Sequence, residues 1–373
     1  MSSYLAQRTK LIDSSGIRKV FALAGALKDP VNFSIGQPDF DVPEPIKQAA
    51  VKAILDGENR YSQTAGVEQL LTRIRKTVQK ETGWQDPLVM ATSGVSGGLL
   101  LAFMSLIDPG DEVIMTDPYF VMYKHLVNLL GGTCVFADSY PDFKLPVEKM
   151  TQAVTKKTKM IILNSPANPT GAVYTEQEVK AVSELARKHD LVIVSDEIYE
   201  DFCYDSPNPC VGRWYEKTLL LKGFSKRSAM TGWRMGYAAC SGHLSALMES
   251  MNMIQQYTFV CAPTPFQIAS VAAMDYDIRP YVDQYRQKRD RIVEGLSKSY
   301  SLMKPGGAFY LFVQKPDWAS SATEFVKTAI ENKVLIIPGN VFSEKDTHFR
   351  ISYATTDEKI DKGIEILCRL AEK

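Results

Sequence analysis

The run Met160-Ile-Ile-Leu163, the segment 175–188 and the run Leu191-Val-Ile-Val194 decide the fold. Both short runs are apolar without polar alternation, the pattern of parallel strands covered on both faces. Between them, Thr175 followed by Glu178 makes a capping box, and Val179, Val182, Leu185 and Ala186 share one helical face. Strand, helix, strand in that order predicts a right-handed crossover and a parallel pair. Such a sheet places its ligands at the carboxyl ends of its strands. The residues directly after each run therefore matter most. They are Asn164-Ser-Pro-Ala-Asn168-Pro-Thr-Gly171 and Ser195-Asp196-Glu197-Ile-Tyr199.

Outward from this unit, residues 89–92, 113–116 and 218–221 read as further buried strands of an α/β layer fold with a mainly parallel sheet. The pattern changes near residues 275–285. A long polar helix from Pro280 to about residue 300 is followed by strands at 308–313, 334–337 and 349–353. Helices near 323–331 and 357–371 complete a smaller α+β unit. The expected division is a large unit over 40–275, with 1–39 and 276–373 forming an N-terminal arm and the small unit. The first 40 or so residues hold no evident sheet. Without repeats or a low-complexity linker, the two units are expected to share a rigid interface.

The 373 residues are 45% hydrophobic and 23% charged, an ordinary globular composition. Basic and acidic residues balance at 43 each, which argues against a chain that works by coating nucleic acid or an anionic membrane. Cysteines at 134, 203, 210, 240, 261 and 368 show no CxxC spacing, and the four histidines do not cluster near them. Neither a metal site nor a disulfide framework is expected, and reduced cytoplasmic thiols are the simpler reading. The opening residues contain no apolar signal core, and no run approaches the roughly 20 residues of a membrane span.

Two more strand ends carry polar residues. After 218–221 come Lys222-Gly-Phe-Ser-Lys226 and then Met230-Thr-Gly-Trp-Arg234-Met-Gly-Tyr237; after 89–92 comes Ser93-Gly-Val-Ser-Gly-Gly98, opening an apolar helix. Singly, each has an ordinary explanation: a helix cap, a surface lysine, a strand-to-helix turn. Together, SxPANPTG, VSDEIY, GFSK and MTGWRMGY resemble the pyridoxal-5′-phosphate (PLP) dependent aminotransferases of fold type I, class I and II. The intervals agree, 28 residues from Asn168 to Asp196 and 30 from Asp196 to Lys226. The likeness extends over roughly residues 10–370 and includes Ser34-Ile-Gly-Gln-Pro-Asp-Phe40, Arg60-Tyr-Ser-Gln-Thr-Ala-Gly66 and Phe349-Arg-Ile-Ser-Tyr-Ala354.

The resemblance implies a role for each matching residue. Lys226 would form a Schiff base with the cofactor aldehyde, since only a primary amine makes a reversible imine, and would then move the proton from Cα. Asp196 would keep the pyridine nitrogen protonated. Tyr199 and Asn168 would bond the ring oxygen, and Asn168 also the substrate carboxylate. Val95 and Ser96 at a helix N-terminus, with Arg234, would bind the phosphate. Tyr61 would reach the phosphate of a neighbouring subunit, and Phe120 would stack on the ring. Arg350 would clamp the substrate α-carboxylate bidentately, and Gly36 would let the chain approach closely. The small unit would close over the substrate.

These matches imply a homodimeric transaminase with shared active sites, exchanging amines between an L-amino acid and a 2-oxo acid, 2-oxoglutarate foremost, in ping-pong order. The rival readings are a β-eliminating lyase or a related fold type I enzyme with the same cofactor, and a non-catalytic PLP-fold binding protein. No lysine occurs between Gly94 and Gly98, where acidic-substrate enzymes of this kind carry one. Arg18 or Lys19, in the stretch Ser15-Gly-Ile-Arg-Lys-Val-Phe21, are the alternative partners for a second carboxylate. A broad donor preference, with aromatic or neutral amino acids competing with aspartate, is the expectation.

Overall fold

The helix that the capping box announces runs over Glu176–His189, and both halves of the box form: Glu178 N–H donates to the Thr175 hydroxyl, and the Thr175 N–H donates to the Glu178 carboxylate. The fold around it is taken from a computed structural model, which describes residues 4–13, 16, 20 and 27–372. Arg18 and Lys19 lie outside the described residues. Its strands are β1 (Val31–Asn32), β2 (Leu88–Ser93), β3 (Glu112–Asp117), β4 (Thr133–Asp138), β5 (Thr158–Asn164), β6 (Val192–Asp196), β7 (Thr218–Gly223), β8 (Met235–Cys240), β9 (Tyr310–Gln314), β10 (Val334–Leu335), β11 (Ile337–Pro338) and β12 (His348–Ser352). Among the described residues, no helix is long and apolar enough to cross a membrane.

Seven strands form one sheet in the order β2-β8-β7-β6-β5-β3-β4, with only β8 antiparallel to its neighbours. Burial on both faces explains the unbroken apolar runs. Met160, Ile162, Val194, Leu219 and Leu221 pack on one side, against the helix Gly94–Leu106. Ile161, Leu163, Ile193 and Leu220 pack on the other. The strand ends are level, because Asn164 pairs with Asp196 and Asp196 with Leu221. A three-stranded antiparallel sheet, β11-β12-β9, and the short parallel pair β1-β10 stand apart from it.

Three expectations need correction. Residues 334–337 are not one strand: Val334–Leu335 pairs with β1, and Ile337–Pro338 with β12. The run is fully buried throughout, so its backbone changes partner rather than facing solvent. The strand expected from residue 308 begins at Tyr310, since Ala308 adopts φ 53° and gives its N–H to the Phe202 carbonyl. Val31–Asn32 does form a strand, contrary to the expectation for the first 40 residues.

Side-chain alternation at the sheet's carboxyl edge separates two charge sets. Lys222 is 1% exposed and faces away from Leu221, between Glu81 at 2.6 Å, Glu197 at 3.2 Å and Glu200. It joins the ends of β6 and β7 to the helix Glu68–Thr82. Lys222→Met should therefore cost about 3–5 kcal/mol, because three partly or wholly buried carboxylates lose their cation. Urea unfolding reads this as a lowered midpoint; a midpoint equal to wild type would show that Lys222 anchors nothing.

Candidate functional site

Asp196, the last residue of β6, is buried and held at both oxygens. Oδ2 accepts from the Tyr123 hydroxyl at 2.7 Å, and Oδ1 from the Ile198 N–H at 3.2 Å. Burial pushes its carboxyl up to about 6, against the pull of these two bonds. Asn164, level with it on β5, ties the neighbouring loop in place. Its Nδ2 donates to the Asp196 carbonyl at 2.9 Å, and its Oδ1 accepts from the Asn168 N–H at 2.9 Å. Tyr199 is buried with its hydroxyl 2.7 Å from that of Tyr310. Burial and the Tyr310 neighbour keep the Tyr199 phenol protonated well above its usual range.

Lys226 sits on the single helical turn Phe224–Arg227 that follows β7. Its Nζ donates to the Gly36 carbonyl at 2.6 Å and lies 5.5 Å from the Tyr199 ring centroid. Burial, joined by the charges of Arg350 and Arg234, lowers the amine to about 8, with Asp196 opposing. Lys222, four residues earlier, has the opposite fate. Burial pulls it down, but Glu200, Glu197 and Glu81 together raise it well above the ordinary lysine range. Of these two lysines, Lys226 is the one whose proton is loosened.

An anion-accepting end lies beside the lysine. The helix Gly94–Leu106 begins with Gly94, Val95 and Ser96, whose N–H groups have no partner within the helix. Gly94 holds φ 65°, and a Cβ there would come 2.6 Å from Nη2 of Arg234. Arg234 also has a positive φ, 57°, uncommon for a residue with a side chain. Its Nη1 donates to the Thr231 carbonyl at 2.9 Å.

The opposite end belongs to Arg350 on β12, 1% exposed. Nη1 donates to Asn168 Oδ1 at 2.9 Å and Nη2 to the Ser34 carbonyl at 2.7 Å. Its Nε is buried without a partner. The guanidinium lies between the Tyr310 and Phe342 rings, 4.6 and 4.5 Å from their centroids. A Cβ on Gly36 would collide with the Tyr310 hydroxyl, so glycine is required for this approach.

Asp196, Asn164, Tyr199, Tyr310, Lys226, Arg234 and Arg350 face one cavity of about 270 Å³. Of the residues singled out in the sequence, Lys226, Asp196, Tyr199, Asn168, Val95, Ser96, Phe120, Arg234, Arg350 and Gly36 line it. Tyr61 does not: it is 82% exposed on the outer surface. Sequence reasoning missed Tyr123, Tyr310, Asn164 and Thr231. Asn164 and Thr231 stand within quoted motifs and were findable there; Tyr123 and Tyr310 reach the site through contacts distant in sequence.

Comparison with known proteins agrees with this geometry. A family profile for aminotransferase class I and II matches residues 28–367. A probable aspartate aminotransferase of Methanocaldococcus jannaschii is 38% identical, over 99% of this chain and 100% of that protein. An aromatic-amino-acid aminotransferase of Thermococcus litoralis is 34% identical over 97% and 96%. Among solved structures, aspartate aminotransferase from Thermus thermophilus with maleate superposes with a TM-score of 0.93 at 33% identity, covering 99% of this chain and 100% of that one. The likeness spans all three sheets and every element that contributes to the cavity, and on that ground the chain belongs to the class I and II aminotransferases, with the fold type I architecture.

Proposed function

We propose that this transaminase uses PLP and moves an amino group from an aspartate, aromatic or neutral L-amino acid to a 2-oxo acid, with 2-oxoglutarate as the usual acceptor. The observation that carries this reading is a single cavity holding a near-neutral amine, a buried carboxylate and two arginines at opposite ends. The donor set fits the cofactor: an N-terminal helix turn and Arg234 for the phosphate, Asp196 for a ring nitrogen, Tyr199 and Asn168 for a ring hydroxyl. Phe120 supplies a flat apolar face. Bound PLP supplies an aldehyde and an electron-withdrawing ring that stabilises charge left at a substrate Cα. Lys226 attaches the group and carries the proton to and from Cα, a role suited to an amine poised near 8. Asp196 stays ionised beside the ring, and Tyr199 remains a hydrogen-bond donor.

Arg350 binds the substrate α-carboxylate, for which its unpartnered Nε is already desolvated. The donor leaves as a 2-oxo acid before the acceptor enters, so both substrates share this clamp in turn. The chain divides into a cofactor-holding unit over 40–275 and a clamping unit of 1–39 with 276–373, which close together to exclude water.

A second copy completes the site. Tyr61 lies on a loop fastened to the helix Ser245–Thr258 and the segment after it: Gln255 donates to the Thr64 carbonyl at 2.6 Å, and Thr264 to the Arg60 carbonyl at 2.7 Å. That helix exposes Met253 and Tyr257, 60% and 86% accessible. An apolar surface beside an outward phenol suits a symmetric partner whose phosphate end Tyr61 reaches.

Lys226→Ala should lose both turnover and the visible band of the lysine-bound cofactor while still binding PLP at the phosphate end. Borohydride reduction of wild type followed by peptide mapping should tag Lys226; a tag on Lys222 would overturn the assignment. Arg350→Ala should keep the cofactor spectrum. Its loss of a desolvated charge pair costs about 2–5 kcal/mol, roughly 30- to several-thousand-fold in kcat/KM. Loss of PLP with amino-acid turnover unchanged would assign Arg350 to the phosphate instead.

Substrate choice follows from the charges. The only cations lining the cavity among the described residues are Lys226, Arg234 and Arg350, all with proposed partners. A second substrate carboxylate would be desolvated without one. Aromatic or neutral donors should therefore compete with aspartate when kcat/KM is measured for aspartate, tyrosine, phenylalanine, alanine and methionine. A preference for aspartate above about a hundredfold over all others would reveal a binding group outside this set.

A further inference from the structure

Tyr123 has no part in the scheme above, yet its hydroxyl makes the shortest bond to Asp196, 2.7 Å at Oδ2. It lies on the helix Val121–Leu129, 2% exposed, within the apolar cluster that covers the sheet. Phe120, one turn earlier, lines the cavity, and its ring meets that of Tyr123 edge-on with centroids 5.5 Å apart. One short segment thus presents a flat face to the cavity and a donor to its buried carboxylate.

We propose that Tyr123 is a positioning residue of the cofactor site, holding the Asp196 carboxylate ionised and aimed at the ring nitrogen. The inference rests on the PLP reading. A carboxylate can keep a pyridine nitrogen protonated only while it remains charged itself. Burial works against that charge at Asp196, and the Tyr123 bond is the largest opposing influence, ahead of the Ile198 N–H. The other titratable groups facing Asp196 are Glu197 beside it, which disfavours the charge, Lys226 across the cavity, which favours it, and Tyr199 in the following turn. Glu197 is paired with Lys222 on the far side of the sheet. Tyr123 cannot exchange roles with its partner: burial and the Asp196 charge keep its phenol protonated far above neutral pH. It donates at every pH at which the enzyme would work.

Tyr123→Phe removes the hydroxyl and keeps the ring. The readout is equilibrium binding of PLP to the apoprotein, followed by absorbance between about pH 5 and 8. Near neutral pH the variant should bind roughly ten- to a hundredfold more weakly, the worth of a hydrogen bond to a charged group. Wild-type affinity should fall as Asp196 is protonated; with its donor gone the carboxyl rises further, so the variant's fall should begin about one pH unit higher. In an Asp196→Asn background, which has no charge to hold, the same substitution should change binding little. An unshifted pH profile, or an equal loss in the Asn background, would overturn the proposal. A Tyr123→Phe apoprotein that melts far below wild type would also overturn it, by placing the hydroxyl in the service of the core. Wild type that takes up no PLP at all would instead sink the cofactor reading itself.

Discussion

One sheet holds apart two charge sets that are each unbalanced, and much of the structure serves that separation. On one face, Lys226, Arg234 and Arg350 line a cavity whose only carboxylate among the described residues is Asp196. On the other, a single buried Lys222 faces Glu81, Glu197 and Glu200. Asp196 and Glu197 are neighbours in sequence, and Lys222 and Lys226 are four apart, so the pleat and one helical turn do the sorting. An excess of desolvated cations is costly unless anions arrive. A cavity with this charge balance favours anionic ligands. On the opposite face burial raises both Glu197 and Glu200, the charge of Glu81 adding to it and Lys222 opposing.

The same separation explains why two lysines so close in sequence differ in chemistry. Carboxylates surround Lys222 and hold its proton. Burial and two arginines surround Lys226 and loosen it. A nucleophile needs the second environment. Burial is common to both lysines, so burial alone does not make a reactive amine; the sign of the neighbouring charge decides.

Ten of the eleven site residues that the family resemblance implied line the cavity, and Val95, Ser96, Asn168, Asp196, Tyr199 and Lys226 among them follow or end a buried strand, a local signal. An apolar run followed by a polar motif gives both the element and the position. Where structure depends on distant partners, local signals fail. β8 carries a motif but no strand signal, since Gly236, Ala238, Ala239 and Cys240 lack the branched residues that mark strands. Residues 334–337 look like one strand until two different partners claim its halves. Tyr123 lies 73 positions from Asp196, and nothing in the pattern around it distinguishes its phenol from core packing.

The cavity is also closed by contacts that span the chain. Arg350 reaches Asn168 across 182 positions, and Lys226 reaches the Gly36 carbonyl across 190. Gly36 is in turn held against Tyr310, whose hydroxyl meets Tyr199 and whose ring flanks Arg350. Lys226 and Arg350 thus share one packed set of neighbours, Gly36 and Tyr310.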